Sequence, residues 1–434
     1  MKYGSPLSHT EARSDSIAQR RLSGLAVIGL GLSLVPLDTA VNVAFPPITA
    51  AFGLATDGIR WVAICYVLTY TCLILLCGRL GDRIGHRRVF RWGLMASVVS
   101  LALCALAPNY GWLLAGRVSQ GLAAALVLSC APALTIALYP AALRTRALAV
   151  FAGLFAFAGA LAPIVGGLSI AALGWSGVFW FRVPLALAAL ALLPLLRELP
   201  ITRSSGDGHA PPGTGSSPLA VLRQPAFLAL NLISVAVNIV VFATWLIGPY
   251  YLSQVAGYGV IASGLWLAIA PLGTILGAAW AARLSAGHAM SLSTRSIALI
   301  GTALMAIAHL LIAQWTMPAN SMLIVLAWLT LGLGLGLFQT AYADLVVARF
   351  AAHQRGVAGS LTMLTRAAGI VLGAFVLSTA MVQLERSFAG NGVPAPAAFL
   401  AAFQTLFTGL AVALATLLAT WILVPKLLTS LRHR

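Results

Sequence analysis

Gly78-Arg-Leu-Gly-Asp-Arg-Ile-Gly-His-Arg-Arg88 is the most polar and most patterned stretch of a chain that is 60% hydrophobic and 8% charged. Apolar runs flank it, Ile59 to Cys77 before and Val89 to Ala107 after. Gly78, Gly81 and Gly85 permit a tight reversal, because glycine adopts backbone angles closed to other residues. Asp82 stands among Arg79, Arg83, Arg87 and Arg88, where it can accept charge-assisted hydrogen bonds or cap a helix N-terminus. At its plainest the stretch is a basic turn between two membrane helices.

The whole composition agrees. The 434 residues carry nine acidic side chains against 26 Lys and Arg, a formal charge of +17, and their mean hydropathy is +0.97. Soluble domains carry roughly 25% charged residues, so an ordinary globule is excluded. Apolar stretches of about 20 residues recur along the chain, which is the signature of membrane helices. They predict twelve, near 22–45, 59–77, 89–107, 112–139, 147–173, 177–196, 225–253, 260–282, 296–315, 321–347, 356–384 and 398–424.

Positive charge is sorted by side. Lys2, Arg13, Arg20 and Arg21, the five arginines from Arg79 to Arg91, and the basic residues following the fourth, sixth, eighth, tenth and twelfth runs all fall on the side of the N-terminus. Arg60, Arg182 and Arg386 fall on or near the other side, while Arg117 and Arg366 lie within helices. Such asymmetry puts both termini in the cytoplasm. It also makes the basic charge a matter of topology, so no nucleic-acid partner is expected; the lipid bilayer is. The polar first twenty residues do not read as a signal peptide. Cys65, Cys72, Cys77, Cys104 and Cys130 are scattered in predicted helices without histidines at ligand spacing, so neither disulfides nor a metal site is expected.

The stretch Gly206-Asp-Gly-His-Ala-Pro-Pro-Gly-Thr-Gly-Ser-Ser217 is linker-like. The expected organisation is a tail (1–21), a six-helix bundle (22–196), a linker (197–224), a second bundle (225–425) and a tail (426–434). The halves echo one another: Gly78-Arg-Leu80 followed by Arg91 returns as Ala282-Arg-Leu284 followed by Arg295, at an offset of 204 residues. The fold class is all-α, a polytopic membrane protein of about twelve transmembrane helices in two six-helix bundles.

The quoted stretch resembles the loop between helices 2 and 3 of the major facilitator superfamily, G-x-L-x-D-r-x-G-r-r. Gly78, Leu80, Asp82, Arg83, Gly85, Arg87 and Arg88 match, with His86 where a basic residue is usual. Leu37-Asp-Thr-Ala-Val-Asn-Val-Ala-Phe-Pro46 is similar to the first-helix motif of the drug/proton antiporter branch, best known in fourteen-span members. Leu114-Ala-Gly-Arg-Val-Ser-Gln-Gly121 resembles the fourth-helix motif, l-x-x-R-x-x-q-G. Ala158-Gly-Ala-Leu-Ala-Pro-Ile-Val-Gly-Gly167 resembles the exporters' fifth-helix motif, with Pro163, Gly166 and Gly167 matching and Ala158 and Ala162 where glycines are usual.

The resemblance implies a secondary transporter working by alternating access, with its substrate site at the bundle interface near the midplane. It implies proton-coupled efflux of a lipophilic small molecule or drug, cationic ones included, with the proton gradient as energy source and no cofactor. Uptake or exchange of an organic anion is the alternative, and a non-transporting membrane sensor a remote one. No enzyme is expected, since no phosphate loop, metal cluster or nucleophile elbow is present. A monomer in the bacterial inner membrane is expected.

Asp38 and Arg117 are the candidates for proton coupling. A carboxylate inside a membrane helix costs about 2.5–3.5 kcal/mol on insertion scales, so it faces water or a partner. At about 1.5 Å per residue, Asp38 lies roughly 23 Å from the cytoplasmic end of its helix and Arg117 roughly 8 Å below the outer end of its own. Both fall in the outer half, where they can also be a structural ion pair. Asn42, four residues from Asp38, is expected on the same face. Asn42, Gln120, Asn238, Trp245, Gln339 and Tyr342 are the candidate substrate-cavity residues. Gly78, Asp82, Arg83, Gly85, Arg87, Arg88, Pro163, Gly166 and Gly167 are the conformational set; in the family, Asp82 engages the start of helix 11. Asp344 and Arg366 are secondary candidates, Asp344 with an interfacial role beside Arg349 or Arg355.

Overall fold

The computed structural model describes residues 23–55, 57–139, 143–197, 224–285, 292–350 and 355–423. Most of the expected linker and both expected tails lie outside them. Among the described residues, twelve helices are long and apolar enough to cross a membrane. They are α1 (Ser23–Val43), α2 (Arg60–Ile84), α3 (His86–Ala105), α4 (Tyr110–Leu138), α5 (Ala149–Leu173), α6 (Gly177–Leu196), α7 (Phe227–Val255), α8 (Val260–Ser285), α9 (Thr294–Ala313), α10 (Ser321–Val347), α11 (Leu361–Gly390) and α12 (Ala395–Leu423). α1 to α6 pack as one bundle and α7 to α12 as the other, joined through α5 with α8, α2 with α11, and α1 with α7. We call the end at which α1 and α7 begin the near end, and the opposite one the far end.

The quoted basic stretch folds more tightly than its glycines suggest. α2 runs through Gly78, Gly81 and Asp82 to Ile84, and α3 starts at His86. The reversal is Gly85 alone, at φ +98°, a backbone angle that favours glycine. No side chain caps α3, so the capping role open to Asp82 is not realised. Its carboxylate lies 3.3 Å from His86 Nε2 and is 72% exposed.

The second bundle is knitted by glycine. On α10, a side chain at Gly332 or Gly336 would overlap the Ala270 or Thr274 carbonyl of α8, and one at Gly334 would come within 2.7 Å of the Gly301 carbonyl of α9. Three glycines at alternate positions therefore serve two neighbouring helices. Close backbone approach of this kind drives association where lipid removes the hydrophobic contribution.

Helix pairing at the far end is equally close between bundles. Gly264 of α8 sits against the Pro163 carbonyl of α5, and Gly167 of α5 against the Val260 carbonyl of α8. Thr49, in the short helix Phe45–Phe52 after α1, shares a 2.5 Å hydrogen bond with Tyr250 of α7. Arg60 of α2 donates to Thr379 (2.9 Å) and Ser378 (3.3 Å) of α11, and its guanidinium lies 4.4 Å from the Phe375 ring centre. These contacts close the far end.

Replacing Gly332 by leucine therefore costs about 1–3 kcal/mol or more through overpacking, whereas Gly409→Ala, with nothing within 4 Å, gains up to about 1 kcal/mol of helix propensity. Thermal unfolding in detergent measures both; equal melting temperatures would contradict the interlocked α8–α10 contact.

Candidate functional site

α1 is not one continuous helix. It turns at Leu34 and Val35, makes a 3₁₀ turn over Pro36–Thr39 and resumes as α-helix at Ala40–Val43. Pro36 has no N–H to offer the preceding turn, so a helical ladder fails there. The Thr39 hydroxyl bonds the Pro36 carbonyl at 2.9 Å and lies 3.3 Å from the Gly159 carbonyl of α5, tying the broken segment to its neighbour. Asp38 sits inside this break, its side chain turned into the first bundle.

Four donors converge on that carboxylate. Arg117 of α4 grips it in a fork, Nη1 to Oδ1 at 2.7 Å and Nη2 to Oδ2 at 2.8 Å. Arg182 of α6 donates from Nη1 to Oδ1 at 2.7 Å, and Gln120 of α4 from Nε2 at 2.9 Å. The two Nε atoms are spent on the scaffold: Arg117 Nε reaches the Val62 carbonyl of α2 at 2.8 Å, and Arg182 Nε the Val178 carbonyl at 3.0 Å. Arg117 also bonds Gln120 Oε1 at 2.8 Å and lies over the Tyr66 ring, 4.5 Å from its centre. Asp38, Arg117 and Arg182 are 8%, 2% and 0% exposed.

Two guanidiniums on one carboxylate leave a net charge of +1 in a buried site, and Nη2 of Arg182 has no hydrogen-bond partner. Taking charges from water costs several kcal/mol per ion, repaid only by close geometry and filled hydrogen bonds. Arginine suits the task because its planar fork answers both carboxylate oxygens at once.

The structure thus joins Asp38 and Arg117, the ion pair the sequence suggests, and adds Arg182 together with Gln120, which was expected among the substrate-cavity residues and instead bonds the Asp38 carboxylate. By charge sorting alone Arg182 belongs to the outer surface; in the structure it is the most deeply buried of the three ions. The available signal was depth: Arg182 stands about as far inside the far end of α6 as Arg117 does in α4. Asn42 is half-buried and its amide takes no part in the network, because the 3₁₀ turn breaks the i, i+4 register with Asp38.

The remaining candidates divide. Tyr342 of α10 donates to Asn231 Oδ1 of α7 at 2.9 Å and lies 2.9 Å from Thr365 Oγ1 of α11, a buried structural joint. Asn238 bonds its own helix at the Ser234 carbonyl (2.8 Å) and packs on Gly369 of α11. Trp245 and Gln339 are half-buried, Trp245 with its ring 6.1 Å from that of Trp328. Gly166 packs on Ala40 of α1, while Pro163 and Gly167 face α8. Arg87 donates to the Leu193 carbonyl at 3.4 Å; Arg83 and Arg88 are exposed. Gly78 makes only an ordinary contact with Ser129. Asp344 and Arg366 are both exposed. Asp344 forms no ion pair among the described residues, and Arg349 reaches Gln224 Oε1 at 3.2 Å instead. The side chains of Arg355 and of most residues at the start of helix 11, where Asp82 is expected to engage, lie outside the described set.

A family model described as Major Facilitator Superfamily matches residues 23–374. The chain belongs to this superfamily. It is a multi-pass membrane protein of a transporter family whose members handle small molecules. It is similar to the methylenomycin A resistance protein of Bacillus subtilis (strain 168), 35% identical over 178 residues, which is 41% of this chain and 38% of that protein. The matched stretch spans well under half of that relative's length. It is also similar to the puromycin resistance protein pur8 of Streptomyces alboniger, 27% identical over 438 residues, 87% of this chain and 85% of that one. In fold it matches a solved bacterial homolog of the human lysosomal transporter Spinster, with a TM-score of 0.75 and 17% identity over 96% of this chain and 99% of that one.

Asp38→Asn strands two buried guanidiniums and is expected to be the most destabilising change at the site, by about 3–5 kcal/mol. Arg117→Gln comes next, since it removes the fork and the Val62 tie, and Arg182→Gln is mildest because it leaves one carboxylate matched to one guanidinium. Melting temperatures in detergent give the order; Arg182→Gln proving the worst would refute it.

Proposed function

We propose that this superfamily member is a proton-coupled exporter of a lipophilic small molecule, cationic compounds included, in the bacterial inner membrane with both termini cytoplasmic. The proton gradient is its energy source, and the monomer is the working unit. The observation that carries the reading is the Asp38 cluster, an intramembrane carboxylate held by partners on two other helices directly behind a closed far end. Relatives named for resistance to methylenomycin A and puromycin support export of a drug-like compound.

With the near end cytoplasmic, far-end closure makes this the conformation that receives cargo from inside. Two guanidiniums on the Asp38 carboxylate favour its charged form here, so a proton settles on it more readily once α1 withdraws from α4 or α6. Proton uptake then belongs to the opposite conformation, and release accompanies return to this one, the order an exporter needs. Arg117 and Arg182 act on the proton step by competing for the same carboxylate. Asn42, Trp245 and Gln339, half-buried polar and aromatic groups, offer contact surface to a cargo. The Gly78–Arg88 region, with Asp82 only loosely paired to His86, is free to bind elsewhere when the bundles rock, and Pro163, Gly166 and Gly167 provide the α5 seam about which they move. Asp344 and Arg366 stand exposed at the near half as secondary contacts.

One observation favours a second reading. The net charge of +1 and the unpartnered Nη2 of Arg182 suit an organic anion, exported or exchanged, whose acidic group would share the site with Asp38.

Ethidium accumulation in an efflux-deficient bacterial host separates the two. Wild type is expected to lower accumulation, an uncoupler to abolish the effect, and Asp38→Asn to match the empty vector at equal membrane levels. A wild type inert toward ethidium and other lipophilic cations, yet moving an aromatic carboxylate in an Arg182-dependent way, would replace export of cations by the anion reading.

A further inference from the structure

Between the start of α3 and the end of α6, at the near end, lies an open cavity of about 490 Å³ whose lining includes Arg87, Arg88, Arg91, Met95, Leu190 and Leu193. Three guanidiniums and, among the described residues, no carboxylate line it. Asp82, the acidic side chain closest to it in sequence among the described residues, is not part of the lining and lies 3.3 Å from His86 Nε2. Arg87 donates across the cavity's edge to the Leu193 carbonyl and so fixes the α3 and α6 walls relative to one another. The cavity also lies at the amino end of a 20-residue helix, where the backbone dipole adds to the positive potential.

The polarity changes along α3 in one direction. Arg88, Arg91, Trp92, Met95 and Val99 are all exposed and follow one another at i, i+3, i+4, i+7 and i+11, hence along one face. Charge gives way to an aromatic ring and then to aliphatic side chains over roughly 16 Å of helix. α6 continues the apolar side with exposed Leu187, Leu192 and Leu195. Soluble phosphate compounds would have no use for that gradient. A phospholipid would: phosphate among the arginines, glycerol near Trp92, acyl chain along Met95, Val99 and Leu187. Arginine rather than lysine at all three basic positions fits bidentate binding of phosphate oxygens, and basic pockets between helices at this level of a membrane take up anionic headgroups.

We propose that this α3–α6 cavity is a binding site for the headgroup of an anionic phospholipid, separate from the Asp38 cluster. The test is native mass spectrometry of detergent-purified full-length protein titrated with phosphatidylglycerol, phosphatidylcholine or inorganic phosphate, with thermal shift alongside. Wild type is expected to retain phosphatidylglycerol and gain thermal stability from it, with little response to phosphatidylcholine. Arg88→Gln/Arg91→Gln should weaken phosphatidylglycerol binding roughly ten- to thirty-fold, at a few-fold per arginine. Leu190→Trp, which fills the cavity without changing charge, should weaken it too. Arg79→Gln/Arg283→Gln removes two exposed arginines at the same end but outside the cavity, and should leave the affinity within about threefold of wild type. Equal loss in that control would reduce the effect to general surface charge and overturn the site. Equal retention of phosphatidylcholine, or the same thermal shift from inorganic phosphate alone, would overturn the lipid assignment.

Discussion

The first bundle depends on one buried carboxylate. Asp38 needs partners because an isolated ion there costs several kcal/mol, and the partners it has come from α4 and α6, with α2 drawn in through the Val62 carbonyl and the Tyr66 ring. Four of six helices are thereby tied at one depth by groups that lose heavily if separated. That is a reason for the bundle to move as a body: shearing any one helix past the others would expose a charge to hydrocarbon. It also explains the break in α1. A continuous helix would spend the Asp38 position on regular i, i+4 packing, whereas the Pro36–Thr39 turn leaves its carboxylate free to reach two neighbours.

The second bundle solves the same association problem without ions. Gly273 and Gly277 on α8, Gly301 on α9, and Gly332, Gly334 and Gly336 on α10 let three backbones approach to where no β-carbon fits. Among the buried polar groups there, Tyr342, Asn231 and Thr365 are neutral and satisfy one another. One half is therefore tied by a buried ion cluster, and the other mainly by shape. The two repeats share a fold but not a chemistry, in line with the loss of the Asp82 counterpart at Ala286.

Much of this was legible beforehand. Span number follows from hydropathy, and the Asp38–Arg117 pairing follows from depth, since an intramembrane acid demands a partner. What was illegible has physical causes. The 78–88 stretch looks like a loop because it is polar, yet membrane helices extend past the hydrocarbon into water, where charged residues are no obstacle; only Gly85, with its left-handed backbone angle, is the turn. Arg182 was lost to charge sorting because a cation near a span end is ordinarily interfacial, and only the position of Asp38 in space shows where its long side chain goes. Asn42 failed by register: a three-residue turn in place of a 3.6-residue one rotates everything after it. Asn238 and Tyr342 resemble cavity residues in sequence, but polar side chains in lipid also serve as joints between helices.

The ion cluster and the closed far end are neighbours along the chain, and this contiguity gives the fold a physical route from charge to gating. Arg117 holds the carbonyl of Val62, two residues from Arg60, which grips Ser378 and Thr379 of α11. Asp38 is two residues from Ala40, against which Gly166 of α5 packs, and the next residue, Gly167, packs on α8. Each of these two cross-bundle contacts thus begins within about one helical turn of the Asp38–Arg117 pair. If the carboxylate lost its charge, the Arg117 fork would lose its reason to hold α1 against α4, and the shift would fall first on the segments carrying Arg60 and Ala40. A bistable contact between packed backbones does not deform gradually, so a small movement at the cluster has two outcomes at the gate, seated or parted. Burial of the network beside these contacts means that a change of charge at the cluster would bear on how the two bundles meet.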